Sequence, residues 1–317
     1  MIRTALETVW AAAEIDAAYA AILRTIVAPR LPTELDPDTA TLTDLVELCC
    51  LANGGAHRVC EHVAVAWNIL YTALYLLDSV EDGDLNAGPW AQWGPGAAVN
   101  LSTGLLATTG ALLSRIEDAG VGVAITQRVR AEFFHTLLNM TAGQHHDLTL
   151  SQPTLEQCWQ IAEAKSGRLF GLACYAGALL AGVEEQPATA CQQFGQILGV
   201  LIQVGDDIDD LWSQPGRSSD LLAGERWRLP VAYAMTVLPP DQREQLRQLL
   251  LAAPSNREAE AQARSQILAA GAALYLAAEA RCLNDRARST LCQAVPDSAF
   301  RDGLLRLLDR YTPLKDR

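Results

Sequence analysis

Lysine is almost missing from this chain. It occurs only at Lys165 and Lys315, and arginine carries the rest of the positive charge. Between Arg30 and Arg115 the sole lysine or arginine is Arg58. With a net charge of −13 the chain lacks the cationic surface that nucleic acid demands, so nucleic acid is excluded as a partner. Aromatic residues make up only 6% and β-branched runs are short, which disfavours a sheet-built core. The eight cysteines form no CxxC pair and no regular spacing. Reduced, mostly buried thiols in a cytoplasmic protein are expected. Glu7, Glu14 and Asp16 interrupt the early apolar residues, so no signal peptide is expected. No strongly apolar run reaches bilayer length, and no membrane span is expected; Leu169–Val183 reads as a buried helix.

What is abundant is Ala and Leu, in a chain that is 50% hydrophobic. That favours an all-α protein with a large core. Val63, Ala66, Trp67, Leu70, Leu74 and Leu77 recur at helical spacing. Leu169–Leu180 and Phe194–Val204 are apolar on all sides, as central helices are. The breaks are short, at Pro29–Thr41, Asn86–Gly96, Ser213–Asp220, Pro239–Asp241 and Ala253–Asn256. No repeat or interdomain linker stands out, so residues 1–317 are expected to form a single helical bundle around a central cavity.

Chemistry concentrates at Gln203-Val-Gly-Asp206-Asp207-Ile-Asp209-Asp210, four carboxylates at the end of an apolar helix. A weaker echo is Asp78-Ser79-Val80-Glu81-Asp82. Asp78/Asp82 and Asp206/Asp210 are each spaced i, i+4, so each pair projects from one helical face. A charge run of this kind is most often a solvated helix face. Following a buried helix, however, the second patch implies four buried carboxylates, whose mutual repulsion a cation would relieve. Opposed acidic faces suit Mg²⁺, which sits between carboxylates and substrate phosphates. Lys165 heads a long, nearly uncharged segment, as a phosphate-binding point charge would, although a surface lysine at a helix start is the plainer alternative. Arg217, Arg226 and Arg228 follow the second patch and are either surface arginines or diphosphate contacts. His145 and His146 point to different helix faces and are read as structural or solvent-facing, with Gln144 and Asp147 as polar contacts in the cavity.

In order along the chain, the motifs are Asp78–Asp84, Gly143-Gln144 with Asp147-Leu148, Lys165-Ser166-Gly-Arg-Leu-Phe, Gln203–Asp210, Asp220-Leu221 and Leu229-Pro230-Val-Ala-Tyr. From about Leu42 onward this set resembles the trans-isoprenyl diphosphate synthase (polyprenyl synthetase) family and its relatives among class I terpene synthases. The resemblance implies an isoprenoid-synthase helical fold and a homodimer. Asp78, Asp82, Asp206 and Asp210 would be metal ligands, with Mg²⁺ as cofactor. Lys165, Arg217 and Arg226 would contact a diphosphate, with Ser166 and Gln203 lining the reaction centre. Asp78, Asp82, Asp206 and Lys165 would be catalytic. The apolar pocket for the prenyl chain would be lined by Ile69, Leu70, Ala73, Leu74 and Leu77, with Gln144. Small Ala73 favours a C20 chain within a C15–C25 range.

The departures are equally specific. Ser79 replaces the family's second aspartate, and Leu77 replaces the histidine before the motif. The arginine pair after it is absent. The basic Gly-Gly-Lys-Arg-x-Arg-Pro loop is replaced by acidic Glu34-Leu35-Asp36-Pro37-Asp38-Thr39, while Gly54-Gly55 matches the family's helix–helix loop. Isopentenyl diphosphate, which carries no metal, needs such cations. The expectation is therefore a terpene synthase that ionises one allylic diphosphate and cyclises or quenches the cation; Arg310-Tyr311 resembles a cyclase pair but equally suits a terminal surface arginine. The alternatives are chain elongation with Arg58 and His57 as substitute cations, prenyl transfer to another acceptor, or a non-catalytic regulatory subunit.

Overall fold

A computed structural model describes residues 2–31, 35–83, 90–212 and 226–313. Among the described residues there are helices and turns but no strand, as the composition requires. In chain order the α-helices are α1 (Ile2–Ala12), α2 (Ala17–Val27), α3 (Leu45–Ala52), α4 (His57–Glu81), α5 (Gly94–Leu113), α6 (Val123–Thr149) and α7 (Leu155–Ala162). They continue as α8 (Arg168–Leu180), α9 (Glu185–Leu211), α10 (Leu229–Val237), α11 (Pro240–Ala252), α12 (Arg257–Ala269), α13 (Ala272–Ala294) and α14 (Ala299–Tyr311). The chain divides into two compact units. One comprises Met1–His135, Leu172–Gln192 and Thr290–Leu307; the other comprises Thr136–Gly171, Gln193–Ser289 and Leu308–Arg317.

In the first unit α4 packs along α5 and against α3. Its apolar stripe explains this: Val63, Trp67, Leu70 and Ala73 are buried to 2% exposure or less. Asn68 is fully buried and donates from Nδ2 to the Thr43 and Ala64 carbonyls at 2.8 and 3.0 Å, tying the approach to α3 onto α4. The turn between α3 and α4 falls at Asn53-Gly54-Gly55, where Gly54 adopts φ +80, a conformation that glycine enters without strain. The helix–helix loop expected there is present. By length and composition α4 and α5 are each long and apolar enough to cross a membrane, which corrects the expectation that no run reaches that length. The apolar residues of α4 are packed within the unit, since 67% of its most apolar window is buried.

The second unit gathers the end of α9 with α10 to α13 around Leu211, Val231, Leu246, Leu250 and Ile267. Local signals set the helix starts. Thr154 and Gln157 form a reciprocal capping box at α7, with bonds of 3.2 and 2.8 Å. Asn256 caps α12 by accepting from the Glu258 and Ala259 amides. Pro230 and Pro240 occupy first-turn positions of α10 and α11, where a missing N–H does no harm.

Candidate active site

Between α7 and α8 the chain passes through one turn of π-helix, Glu163–Gly167, which carries Lys165 and Ser166. Such a turn inserts an extra residue and redirects the side chains beyond it. Two close approaches seat it in the second unit. A Cβ added to Gly199 of α9 would lie 2.4 Å from the Ser166 carbonyl oxygen, and one added to Gly143 of α6 would lie 2.5 Å from the Ala164 Cβ. Glycine at both positions lets the turn's backbone touch its neighbours directly.

The seated turn aims Lys165 at Asp147 of α6. The Lys165 Nζ lies 2.6 Å from Asp147 Oδ2. Arg228, immediately before α10, bonds both oxygens of the same carboxylate at 2.7 and 2.8 Å. The three side chains are only 7–15% exposed. Burial alone would push the Asp147 carboxyl up, but the charges of Arg228 and Lys165 overcome it and hold the group below the usual carboxylate range. Two cations thus converge on one carboxylate, and Arg228 also acts on the Asp207 carboxyl nearby.

A polar chain runs beside this triad. Ser166 Oγ donates to Gln203 Oε1 at 3.4 Å, and Gln203 Nε2 donates to Asp207 Oδ1 at 3.1 Å. Asp207 Oδ2 accepts the Leu229 amide at 3.2 Å, at the start of α10. Asp147, Lys165, Gln203, Asp207 and Arg228, with Cys158, Ile161, Ala162, Trp227 and Leu229, line a small cleft of about 20 Å³. The Cys158 thiol is pushed up to about 12 by burial and then by the Asp207 charge, so it stays protonated and is no nucleophile.

The acidic patch is not four buried carboxylates, which corrects the sequence expectation. Asp206 and Asp209 are exposed and Asp210 is half-buried, whereas Asp207 alone is buried. Helical geometry causes the split: positions 203 and 207 share one face, and 206 and 210 share another. Asp207 is thus a structural acceptor. Burial drives its carboxyl up to about 6 against the pull of Arg228 and its hydrogen bonds. Although solvent reaches Asp206, the protein around its carboxyl, and then the Asp209 and Asp210 charges, push it up to about 6 as well. The Asp210 carbonyl is held by the Arg264 guanidinium.

In the first unit Asp78 and Asp82 sit half-buried at the end of α4, the Asp82 amide donating to the Asp78 carbonyl at 2.9 Å. Ser79 points elsewhere. Its Oγ donates back to the Tyr75 carbonyl at 3.1 Å and the residue is 8% exposed. Of the expected pocket residues, Leu74 and Leu77 retain partial exposure, but Ile69, Leu70 and Ala73 are closed to solvent by packing. The lower part of that expected pocket is therefore filled. Gln144 is half-buried, and His145 and His146 are exposed, as expected. Asp38, in the acidic segment where a basic loop was sought, pairs with Arg306 at 2.8 Å. Arg226 is half-buried beside Trp227 in sequence, while Arg217 lies outside the described residues. Arg310 is exposed.

Asp147 and Arg228 stand out in the sequence but their pairing does not, and nothing in the local pattern marks Cys158, Trp227 or the π turn. The glycines at 143 and 199 were the available signal for that turn.

Residues 41–267 match the family model described as polyprenyl synthetase. A geranylgeranyl diphosphate synthase from Mycobacterium tuberculosis is 30% identical over 202 residues, covering 60% of this chain and 57% of its own length. A heptaprenyl diphosphate synthase component 2 from Geobacillus stearothermophilus is 29% identical over 189 residues, 56% of each chain. This chain thus spans about half the length of those curated relatives. A geranylgeranyl pyrophosphate synthase from Corynebacterium glutamicum, solved with isoprenyl diphosphate and magnesium, superposes with a TM-score of 0.78 at 18% identity, covering 99% of this chain and 98% of its own. That likeness establishes a shared fold.

Proposed function

The chain belongs to the polyprenyl synthetase family, and from that premise we propose that it ionises an allylic prenyl diphosphate and joins the cation to isopentenyl diphosphate, extending the chain. Both curated relatives described above are named for prenyl diphosphates they synthesise, which supports elongation over the cyclisation first expected from the sequence. The observation that carries the reading is the Lys165–Asp147–Arg228 triad on its π turn: two cations held in place by one carboxylate at the wall of a cleft.

The donor set fits a hard divalent cation. Asp206 and Asp210 offer only oxygens from one helical face, and the crowding that raises Asp206 is a repulsion that a cation would relieve. Asp78 and Asp82 offer the same one-turn spacing at the end of α4. Mg²⁺ bound by such carboxylates supplies charge that stabilises a departing diphosphate. The chain's own groups do the rest. Lys165 and Arg228 present preorganised N–H donors to the phosphate oxygens, held in place by Asp147 so that little reorganisation is needed. The Ser166–Gln203–Asp207 chain fixes the floor beside them.

A second reading, cyclisation or quenching of the cation without isopentenyl diphosphate, is favoured by one observation. The segment where the family carries its basic loop is acidic here, and its Asp38 is committed to Arg306. Incubation of the protein with Mg²⁺ and C10, C15, C20 or C25 prenyl diphosphates, each with and without isopentenyl diphosphate, separates the two. A longer diphosphate that forms only with isopentenyl diphosphate supports the first reading. Hydrocarbon or alcohol without it replaces the first reading with the second. Failure to release diphosphate under any condition refutes both.

A further inference from the structure

Glu47 is the least explained side chain in the first unit. It lies in the first turn of α3, completely buried, and neither carboxylate oxygen has a hydrogen-bond partner. A buried ionised carboxylate without partners is strongly disfavoured, so such a group marks either a protonated acid or a missing cation. Its charged neighbours make matters worse, since Asp44 and Glu61 are both acidic. Burial first, then these like charges, outweigh the opposing His57 and push the Glu47 carboxyl up to about 7.

What Glu47 faces is a set of ligand atoms. The His57 Nδ1 is 3.7 Å from Glu47 Oε2, too long for a hydrogen bond. The Cys60 thiol completes a group whose three ligand atoms all lie within 4.8 Å of one another. Cys60 donates to the His57 carbonyl at 3.2 Å and is hydrogen-bonded to Cys50, whose own thiol reaches the Ala56 carbonyl at 3.9 Å. In sequence the pattern is Glu47-x-x-Cys50 on α3 and His57-x-x-Cys60 on α4. Each pair is spaced i, i+3, so each presents two ligands from one helical face across the Gly54-Gly55 turn.

We propose that Glu47, His57 and Cys60, with Cys50 in the fourth position, form a structural transition-metal site, for Zn²⁺ by donor type, that staples α3 to α4. Tetrahedral Zn²⁺ with bonds of about 2.0–2.3 Å places its ligand atoms roughly 3.3–3.8 Å apart; the Glu47–His57 separation of 3.7 Å already falls in that range, the three ligand atoms lie within 4.8 Å of one another, and Cys50, outside that group, would shift toward it. Nitrogen and thiolate donors select zinc over magnesium. Binding replaces the protons on Glu47, Cys50 and Cys60 with metal bonds and releases them to solvent, so affinity rises steeply with pH. The site shares no residue with the diphosphate cleft.

The test uses the full chain, reduced, freed of metal by chelation and titrated with Co²⁺ alone. One equivalent is expected to give tetrahedral visible bands and a thiolate-to-cobalt charge-transfer band, which carboxylate-only sites cannot produce. Zn²⁺ should displace the cobalt and raise the melting temperature. His57→Ala, whose side chain is 46% exposed and so leaves the fold intact, should weaken binding by more than about tenfold. Cys60→Ser should reduce the charge-transfer band, and Cys282→Ser, at an exposed cysteine elsewhere, should leave it unchanged. Absence of the band in the folded wild-type chain overturns the proposal, as does a band that is undiminished in both His57→Ala and Cys60→Ser.

Discussion

Replacing Asp147 with asparagine removes a charge while keeping the shape. Lys165 and Arg228 then lose the carboxylate they share, each 15% exposed or less. At an effective dielectric of about 20, each ion pair is worth roughly 4 kcal/mol of attraction, or about 8 for the two. Several kcal/mol of that offsets the desolvation of three charges. Stranding the partners of a buried charge typically costs about 3–5 kcal/mol, and that is the expected loss at pH 7. At roughly 2 °C per kcal/mol the melting temperature should fall by about 6–10 °C. The pH dependence makes the reasoning specific. The folded Asp147 carboxyl lies below its unfolded value, so its stabilisation is fully present above the unfolded pKa, near 4, and is lost as pH falls through the folded one. The gap between wild type and Asp147→Asn should therefore be constant above about pH 7, change as Asp207 beside Arg228 titrates near pH 6, and narrow steadily below about pH 4. Thermal melts of both proteins across that range read it directly. A gap under about 1 kcal/mol at pH 7, or one that does not narrow in acid, would show that the triad is not a buried charge cluster.

Three further outcomes follow from the same geometry. Gly199→Ala forces a methyl against the Ser166 carbonyl, so turnover should drop at least about tenfold with an overpacking loss of about 1–3 kcal/mol, while helical circular dichroism is retained; full activity would detach the π turn from catalysis. Asp78→Ala and Asp206→Ala should each abolish diphosphate release without lowering the melting temperature by more than a few degrees, and full activity in either would sink the metal assignment. Trp67→Ala, at a fully buried side chain of α4, should destabilise the protein by about 3–5 kcal/mol, checked by urea denaturation.

Much of this was readable from residue order. Helical periodicity located α4 and α9, and the i, i+4 spacing of Asp78/Asp82 and Asp206/Asp210 gave faces that the structure retains. The Gly54-Gly55 turn is legible through the family's helix–helix loop, and the positive φ of Gly54 supplies its physical reason. The spacing rule does not say which face turns inward, so the burial of Asp207 and exposure of Asp206 could not be read. Nor could the choice of Arg228 as the Asp147 partner, because that pair is separated by 81 positions and depends on packing rather than on local pattern. The π turn escaped because its determinants, Gly143 and Gly199, lie on other helices. The same limit hid the environment of Glu47, which reads as an ordinary helix carboxylate until its neighbours are known.

Ser79 carries a consequence for protein engineering. Its hydroxyl satisfies itself on the Tyr75 carbonyl, one turn back along α4, in a position only 8% open to water. An aspartate introduced there would bring a charge into that enclosure and would meet a carbonyl oxygen rather than a donor. Rebuilding the first acidic motif by the single change Ser79→Asp is thus resisted by the helix itself. Ser79→Asp alone should therefore lower the melting temperature, and a library built on it should regain stability only through a second substitution that opens the packing around position 79.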